Sequence, residues 1–307
     1  MQLIKPDINI DFVGKRKLAL LLSIIILVVG AVSLVLHGGP NYGIDFSGGT
    51  LVQVKIGQDT GPLELKESLQ DLNLKGLVVQ TFGDESNEFL IRAANSSSEL
   101  EGLSQSIKNA LSAKYGAEMV DLRRSEMVGP KVGADLREKG FLAIVYAMIG
   151  ILFYITWRFE FRFAVGAIIA LIHDVCITLG AFSLFGKEID LPIIAAFLAI
   201  IGYSLNDTII VYDRIRENMG KLSKESYGHI INRSINETLS RTILTSGTTL
   251  LVVLALFIFG GGVIHNFAFA LLIGVLVGTW SSIFIASPLL IYWDEIKAAK
   301  KAAGRTA

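Results

Sequence analysis

Long runs of apolar residues, separated by short charged segments, make up most of the chain. A bilayer core about 30 Å thick is spanned by roughly 20 apolar residues in a helix. The last run, residues 242–293, lacks Asp, Glu, Lys and Arg and is too long for one crossing, so a turn is expected at glycines 260–262. The pattern predicts six transmembrane helices, over residues 18–36, 141–157, 163–185, 191–212, 242–262 and 266–293.

A different pattern fills residues 37–139, between the first two spans. Apolar and polar positions alternate with the period of a strand over residues 50–56, 77–82, 88–93 and 117–127. Helical periodicity occurs over residues 63–72 and 98–115, the latter after a Ser-rich cap region. The order β-α-β-β-α-β is typical of a ferredoxin-like α+β domain. The fold class predicted is therefore a polytopic α-helical membrane protein carrying one such domain.

Composition supports a membrane protein and excludes several other classes. Only 18% of residues are charged and the mean hydropathy is +0.55. The 28 basic and 28 acidic residues balance, which excludes binding of nucleic acid through bulk positive charge. Cys176 is the only cysteine, so an intrachain disulfide or a Cys-based zinc site cannot form. No catalytic triad or phosphate-binding loop occurs in residues 37–139, and we predict no enzyme activity, metal or cofactor.

Basic residues indicate the orientation of the spans. Sixteen Lys and Arg flank the spans on one side, against Lys187 alone in the short loops on the other. This places the N-terminal tail (1–17), an amphipathic segment (213–241) and the C-terminal tail (294–307) in the cytoplasm, with residues 37–139 outside. The first span is expected to be a retained anchor, because it is longer than a signal-peptide core and lacks a small-residue cleavage pattern.

Ionisable residues inside the spans are the candidates for function, because a charge in hydrocarbon is costly. Asp207 lies in the fourth span, with Tyr203 and Ser204 one turn before it as possible hydrogen-bond donors. Arg241 enters the fifth span from the same side. Asp207 and Arg241 are predicted to form a proton relay, in which helix movement changes how strongly the carboxylate holds a proton. The alternative is a static ion pair that locks two helices.

Three further residues are secondary candidates. His173 and Asp174 are adjacent in the third span, where they form either a second proton-relaying pair or a local hydrogen bond. Asp213 begins a charged run at the end of the fourth span and is a relay candidate or an interfacial anchor. An intramembrane aspartyl protease using Asp174 and Asp207 was considered, but the sequence contains no Gly-x-Gly-Asp motif.

Several short motifs occur in a characteristic order along the chain. A glycine-rich segment with Gly43, Asp45, Phe46, Gly48 and Gly49 precedes the first strand and by itself predicts a tight turn or bulge. The other motifs are residues 127–130, 202–208, 212–218, 234–242, 246–249 and 278–286. Together they resemble the SecF family of bacterial protein-export membrane proteins, part of the SecD/SecF family in the resistance-nodulation-division superfamily. Trp280 and Tyr212 replace the Tyr and Phe expected there, and both keep an aromatic ring.

The resemblance implies a function and a set of partners. It implies a subunit that couples proton flow to motion of the periplasmic domain and so promotes preprotein translocation. It also implies an obligate heteromer with SecD, which acts together with the SecYEG translocon, SecA and YajC. The implied substrate is an unfolded preprotein, and the implied location is the bacterial inner membrane. The alternative function is a half-subunit of a proton-driven small-molecule exporter.

Overall fold

The computed structural model describes residues 8–82, 87–93, 102–222 and 224–303. Within these residues, six helical segments are long and apolar enough to cross a membrane, which confirms the predicted fold class. The sixth consists of α9, a π-helical turn over Ser282–Ala286 and α10. The long helices are α1 (Arg16–Leu36), α5 (Pro130–Arg158), α6 (Phe161–Leu184), α7 (Leu191–Lys221), α8 (Tyr227–Phe259), α9 (Gly261–Ser281) and α10 (Ser287–Ala303).

The segment between α1 and α5 forms the predicted ferredoxin-like domain, called the sheet domain below. Its four strands are antiparallel in the order β2-β3-β1-β4. Two helices cover one face of the sheet and bury a core that includes Val52, Phe89 and Leu111, and the other face is turned towards the ends of the long helices. The elements are α2 (Ile44–Ser47), β1 (Gly49–Ile56), α3 (Pro62–Ser68), β2 (Val78–Thr81), β3 (Glu88–Ala93), α4 (Leu103–Tyr115) and β4 (Val120–Val128).

Several helices extend beyond the apolar runs from which they were predicted. The helix α5 begins at Pro130, because a proline fits the first turn of a helix and the charged residues that follow lie on exposed faces. Residues 213–241, predicted as one amphipathic segment, belong mostly to continuous extensions of α7 and α8. Charged pairs one turn apart support both extensions, for example Lys221 with Glu217 and Arg233 with Glu237. The Ser-rich start predicted for α4 lies outside the described residues.

The helices differ in how far they are buried. The central helices α6, α7 and α9 bury much of their surface, whereas few residues in the apolar parts of α5 and α8 are buried. Glycines allow close approach in the centre: a methyl group on Gly278 would lie 2.9 Å from Ser204 Cβ, and one on Gly30 would lie 2.9 Å from Gly180 Cα. Gly278 thus lets α9 approach α7, and Gly30 and Gly180 let α1 approach α6.

The segment before α1 is held against the opposite end of the bundle from the sheet domain. Asn232 and Asn236 on α8 bind its backbone: Ile10 N donates to Asn236 Oδ1 at 2.8 Å, and Phe12 N donates to Asn232 Oδ1 at 2.8 Å. Phe12 also packs edge-on against Phe284. This end of the bundle is therefore closed by chain segments far apart in sequence.

Candidate functional site

Asp207 lies in the middle of the helical bundle and is fully buried. Its Oδ2 accepts a hydrogen bond from Ser246 Oγ of α8 at 3.1 Å, and Ser246 Oγ lies 2.8 Å from Thr279 Oγ1 of α9. Its other oxygen, Oδ1, is buried and has no hydrogen-bond partner among the described residues. A buried carboxylate oxygen without a donor is uncommon, because the lost interaction with water is not replaced. Asp207 can therefore accept a proton on Oδ1 without displacing a hydrogen-bond donor.

Asp174 has a very different environment, although it is as deeply buried. Its Oδ2 accepts from Ser204 Oγ of α7 at 2.5 Å and from Ser281 Oγ of α9 at 2.8 Å. Its Oδ1 lies 2.9 Å from Nδ1 of the neighbouring His173. The predicted hydrogen bond between His173 and Asp174 is present, and Ser204, expected beside Asp207, contacts Asp174 instead. Asp174 thus ties α6 to α7 and α9.

Arg241 does not form an ion pair with Asp207 within 4.0 Å in the described part of the chain. It is exposed and lines an open cleft of about 670 Å³ between α7 and α8, together with Asp213, Glu217 and Glu237. The guanidinium still lies near enough to act on the Asp207 carboxylate electrostatically. In the described residues Arg241 therefore lines the open cleft without a direct ion pair to Asp207.

The other two predicted residues lie on α7 on either side of Asp207. The Tyr203 hydroxyl is buried and has no hydrogen-bond partner in the structure. Asp213 lies at the rim of the cleft, where one of its oxygens is 3.5 Å from Arg158 Nη2, and both side chains are about half exposed. Its position fits that of an interfacial residue.

The glycine segment, residues 43–49, attaches the sheet domain to the bundle. The sequence predicts a tight turn or bulge here; residues 44–47 form the single helical turn α2, and Gly48 and Gly49 then take φ values of 74° and 127°. A methyl group on Gly48 would lie 2.7 Å from Pro130 Cα at the start of α5. Asp45 Oδ2 accepts a hydrogen bond from Leu191 N, the first residue of α7, at 2.9 Å. The segment is therefore packed against the ends of two transmembrane helices.

The loop between α6 and α7, residues 185–190, receives the sheet domain and is called the docking loop. Its backbone joins the glycine segment, since Gly43 N donates to Ile189 O at 2.8 Å. Glu188 forms an ion pair with Arg92 of β3, and Lys187 Nζ donates to Asn266 Oδ1 of α9 at 3.0 Å. Asp190 caps α7 by accepting from Ile193 N at 3.2 Å. The start of α7 is thus bound directly to the sheet domain.

Burial changes the acid–base behaviour of this loop. Removal from water raises the pKa of Asp190 to about 6, and the nearby carboxylates of Asp45 and Glu188 act in the same direction. Burial also lowers the pKa of Lys187. The docking loop therefore contains a carboxyl group that titrates close to neutral pH.

Sequence reasoning did not assign roles to several residues of these sites. Ser246, Thr279 and Ser281 lie within motifs that supported the family resemblance, but a hydroxyl in an apolar helix usually bonds to its own backbone. Arg92 and Glu188 are ordinary surface types in sequence, and their pairing depends on how the sheet domain is placed over the bundle. No local pattern identifies either group.

Two family models match the chain. The model described as Protein export membrane protein SecD/SecF, C-terminal, matches residues 107–296. The chain belongs to the SecD/SecF family of protein-export membrane proteins. A second model, SecD/SecF GG Motif, matches residues 34–60, which include the glycine segment. The family predicted from the ordered motifs is confirmed.

Curated SecF relatives cover almost the whole chain. A protein named Protein translocase subunit SecF from Desulfurispirillum indicum is 51% identical over 92% of this chain and 91% of its own length. Its namesake from Magnetococcus marinus is 46% identical over 99% of this chain and 98% of its own. Together with the six apolar helices, these relatives define a multi-pass membrane component of protein export rather than an enzyme.

Two solved structures share the fold. SecDF from Thermus thermophilus, described as a translocon-associated membrane protein, is 36% identical and superimposes on 95% of this chain with a TM-score of 0.86. SecDF in a super-membrane-facing form gives a TM-score of 0.70 over 99% of the chain, also at 36% identity. The chain spans 40% and 41% of the length of these two SecDF chains.

Proposed function

We propose that this SecF-family subunit uses proton flow through its membrane helices to move the sheet domain and so promote preprotein translocation. The observation that carries the proposal is the buried carboxylate of Asp207, which has one oxygen without a hydrogen-bond partner. Ionisable groups at this depth are costly and are usually retained for transport of ions or protons. Family membership favours protein export over the small-molecule exporter considered from sequence.

The helix α7 provides the mechanical connection in this proposal. It carries Asp207 in the bundle, and its first residue, Leu191, is bound by Asp45 of the sheet domain. These positions are sixteen residues apart, which at 1.5 Å per residue is about 24 Å along the helix. A shift of α7 that follows protonation of Asp207 would therefore reach the glycine segment and the docking loop without an intervening flexible joint.

Arg241 completes the proposed relay. It stands beside the open cleft and acts on Asp207 only through space, so its distance from the carboxylate can change without breaking a formed ion pair. A permanent cation that approaches Asp207 favours release of its proton, and withdrawal favours uptake. His173, Asp174, Tyr203 and Asp213 remain secondary candidates for the path.

Charge supports an orientation with both termini in the cytoplasm. In the described residues, the end of the bundle opposite the sheet domain carries Lys15, Arg16, Lys17 and the Arg and Lys residues of the α7 and α8 extensions, whereas the short loops at the other end contain Lys187 alone. We therefore place the sheet domain in the periplasm and the helices in the bacterial inner membrane.

The surface of α7 supports SecD as an obligate partner. The exposed side of α7 presents a stripe of small and polar residues. The exposed side of α5, in contrast, presents bulky residues such as Phe141, Tyr146 and Phe153. Small residues permit close helix packing in a membrane, and an exposed Asn there favours a protein neighbour over lipid. The stripe consists of Ala195, Ala199, Gly202, Asn206 and Asp213. SecYEG, SecA and YajC would complete the machinery that acts on the unfolded preprotein.

The experiment that tests the proposal is the substitution Asp207→Asn. Asparagine keeps the size of the side chain and an oxygen for Ser246, but it removes the titratable proton. In inverted membrane vesicles, we expect the variant to lose the stimulation of preprotein translocation by a proton gradient while copurifying normally with SecD. Asn206→Asp, the reverse change at the adjacent exposed position, is the matched control and should not restore stimulation in the Asp207→Asn background. Full stimulation of the single variant at normal protein level would refute the proposal.

A further inference from the structure

The two buried carboxylates belong to one closed set of contacts. Asp174 binds Ser204, which lies three residues before Asp207 on α7. Asp207 binds Ser246, and Ser246 contacts Thr279, two residues before Ser281 on α9. Ser281 returns to Asp174. We call this closed set the hydroxyl ring, and it consists of Asp174, Ser204, Asp207, Ser246, Thr279 and Ser281.

We propose that Asp174 is a positioning residue for Asp207 and does not itself carry the translocated proton. The proposal rests on the proton-carrying role proposed above for Asp207. It assigns a task to Asp174, which the sequence left open between a second proton relay and a local hydrogen bond with His173. The two carboxylates differ in their hydrogen-bond partners.

The oxygens of Asp174 are occupied by fixed donors. Ser204 and Ser281 share Oδ2, and His173 lies against Oδ1. A proton arriving on Asp174 Oδ2 would displace one of these donors; Ser281 could turn to its second acceptor, Gly278 O at 3.1 Å, but the buried Ser204 hydroxyl has no other acceptor in the described residues. Asp207 has a single donor, and its Oδ1 is free. Uptake of a proton there breaks no existing bond.

The ring determines where Asp207 lies relative to α8 and α9. Ser281 is the last residue of α9 before the π-helical turn Ser282–Ala286, where the backbone register changes. Its bond to Asp174 fixes α9 just before this change, and Thr279, two residues earlier, holds Ser246 beside Asp207. Loss of the Asp174 acceptor would therefore release both α7, through Ser204, and α9, through Ser281.

Few titratable or charged groups lie near the ring in the described residues. They are His173 beside Asp174 on α6, Tyr203 one turn before Asp207 on α7, and Arg241 on α8; α9 contributes hydroxyl groups only. A substitution at Asp174 can therefore alter the protonation of Asp207 in two ways: through the hydrogen bonds of the hydroxyl ring, or through the loss of the Asp174 charge. Asparagine separates the two, because it removes the charge but retains an oxygen that can accept from both serines.

The experiment measures the protonation of Asp207 directly. Hydrophobic carbodiimides react with protonated carboxyl groups in membranes, so labelling of Asp207 is followed against pH by peptide mass spectrometry in SecD-containing membranes. We expect Asp174→Ala to raise the midpoint for Asp207 by about one pH unit or more above that of Asp174→Asn, because Ser246 would no longer be held beside the carboxylate, as for the loss of one charge-assisted hydrogen bond. Ser281→Ala should shift it in the same direction by less. Asp174→Asn removes the charge but keeps the acceptor, so any change in its midpoint reports the charge alone, and gradient-driven translocation should stay within about threefold of the wild type.

Thr178→Ala is the matched control, because this buried hydroxyl bonds only to the backbone of Asp174 within α6 and lies outside the ring. An Asp207 midpoint in Asp174→Ala equal to that in Asp174→Asn, with an unchanged midpoint in Ser281→Ala, would overturn the positioning role. Asp174→Asn could instead assemble normally but lose the stimulation of translocation by the proton gradient as completely as Asp207→Asn. This result would also overturn the positioning role and make Asp174 a proton carrier. Normal stimulation in Asp207→Asn would instead refute the proposed function, while the labelling midpoints would still decide the role of Asp174.

Discussion

Reversing the charge of Arg92 is expected to release the sheet domain from the docking loop. On the side of β3, the ion pair between Arg92 and Glu188 joins the two parts directly. On the side of β1, the glycine segment is held by backbone hydrogen bonds and by contact with Pro130. The sheet domain is thus fixed at one side and joined by a separable charge pair at the other, an arrangement suited to rocking.

The size of the effect follows from the burial of the pair. The two side chains are 16% and 17% exposed, so the pair lies between the exposed and buried cases. Exposed pairs contribute roughly 0.2–1 kcal/mol, and breaking a buried pair costs about 3–5 kcal/mol. We expect about 1–3 kcal/mol here, a change of roughly 5- to 150-fold in the ratio of docked to undocked domains. One proton that crosses 100 mV releases about 2.3 kcal/mol, which is comparable to this cost.

The assay is cross-linking across the cleft between the two parts. Cysteines replace Gln80 on β2 and His265 on α9, which line this cleft, in a Cys176→Ser background, and a short bismaleimide joins them. Arg92→Glu and Glu188→Arg should each slow cross-linking, and the double exchange should restore the rate. Lys114→Glu, at an exposed ion pair on the far side of the sheet, is the control. Equal rates in all variants, or a double variant as slow as the single ones, would refute the role of the pair.

Two further predictions concern α7. Gly202→Leu should reduce copurification with SecD at least about tenfold without lowering the amount of folded protein, because a side chain there meets nothing within 4 Å in this chain but would fill the proposed contact surface. Gly150→Leu on α5 is equally open and should have no effect. Equal loss of copurification in both variants would contradict the assignment of the surface. Asp190 has a pKa of about 6 when folded against an ordinary value of 3.8, so the folded state binds its proton more tightly and should lose stability as the pH rises through this interval. Asp190→Asn keeps an acceptor for the helix cap and should flatten this pH dependence of the melting temperature in detergent. The control Asp59→Asn, at an exposed position, should not flatten it. An unchanged slope of melting temperature against pH in Asp190→Asn would show that another group is responsible.

The sequence was sufficient for the architecture because the relevant signals are local and repeated. Apolar runs must match the thickness of a bilayer, and a strand with one buried face must alternate, so six spans and the β-α-β-β-α-β order followed from periodicity alone. Asp207 and Asp174 were also found from sequence, since a carboxylate in an apolar run is conspicuous. Helix ends were less certain: α7 and α8 continue past their apolar residues, because charged pairs support a helix in water as well.

Only the tertiary structure distinguished the two carboxylates. A helical projection places Ser204 on the same face of α7 as Asp207. In the structure, the close approach of α9 at Gly278 and the position of α6 direct the Ser204 hydroxyl to Asp174. Ser246 and Thr279 acquire a role only because α8 and α9 pack against α7 at the depth of Asp207. The same holds for Arg92 and Glu188, which are 96 residues apart and meet because the glycine segment fixes the sheet over the docking loop. Hydrogen-bond partners across helices depend on packing distances of a few ångströms, which residue types and spacing along one chain do not specify.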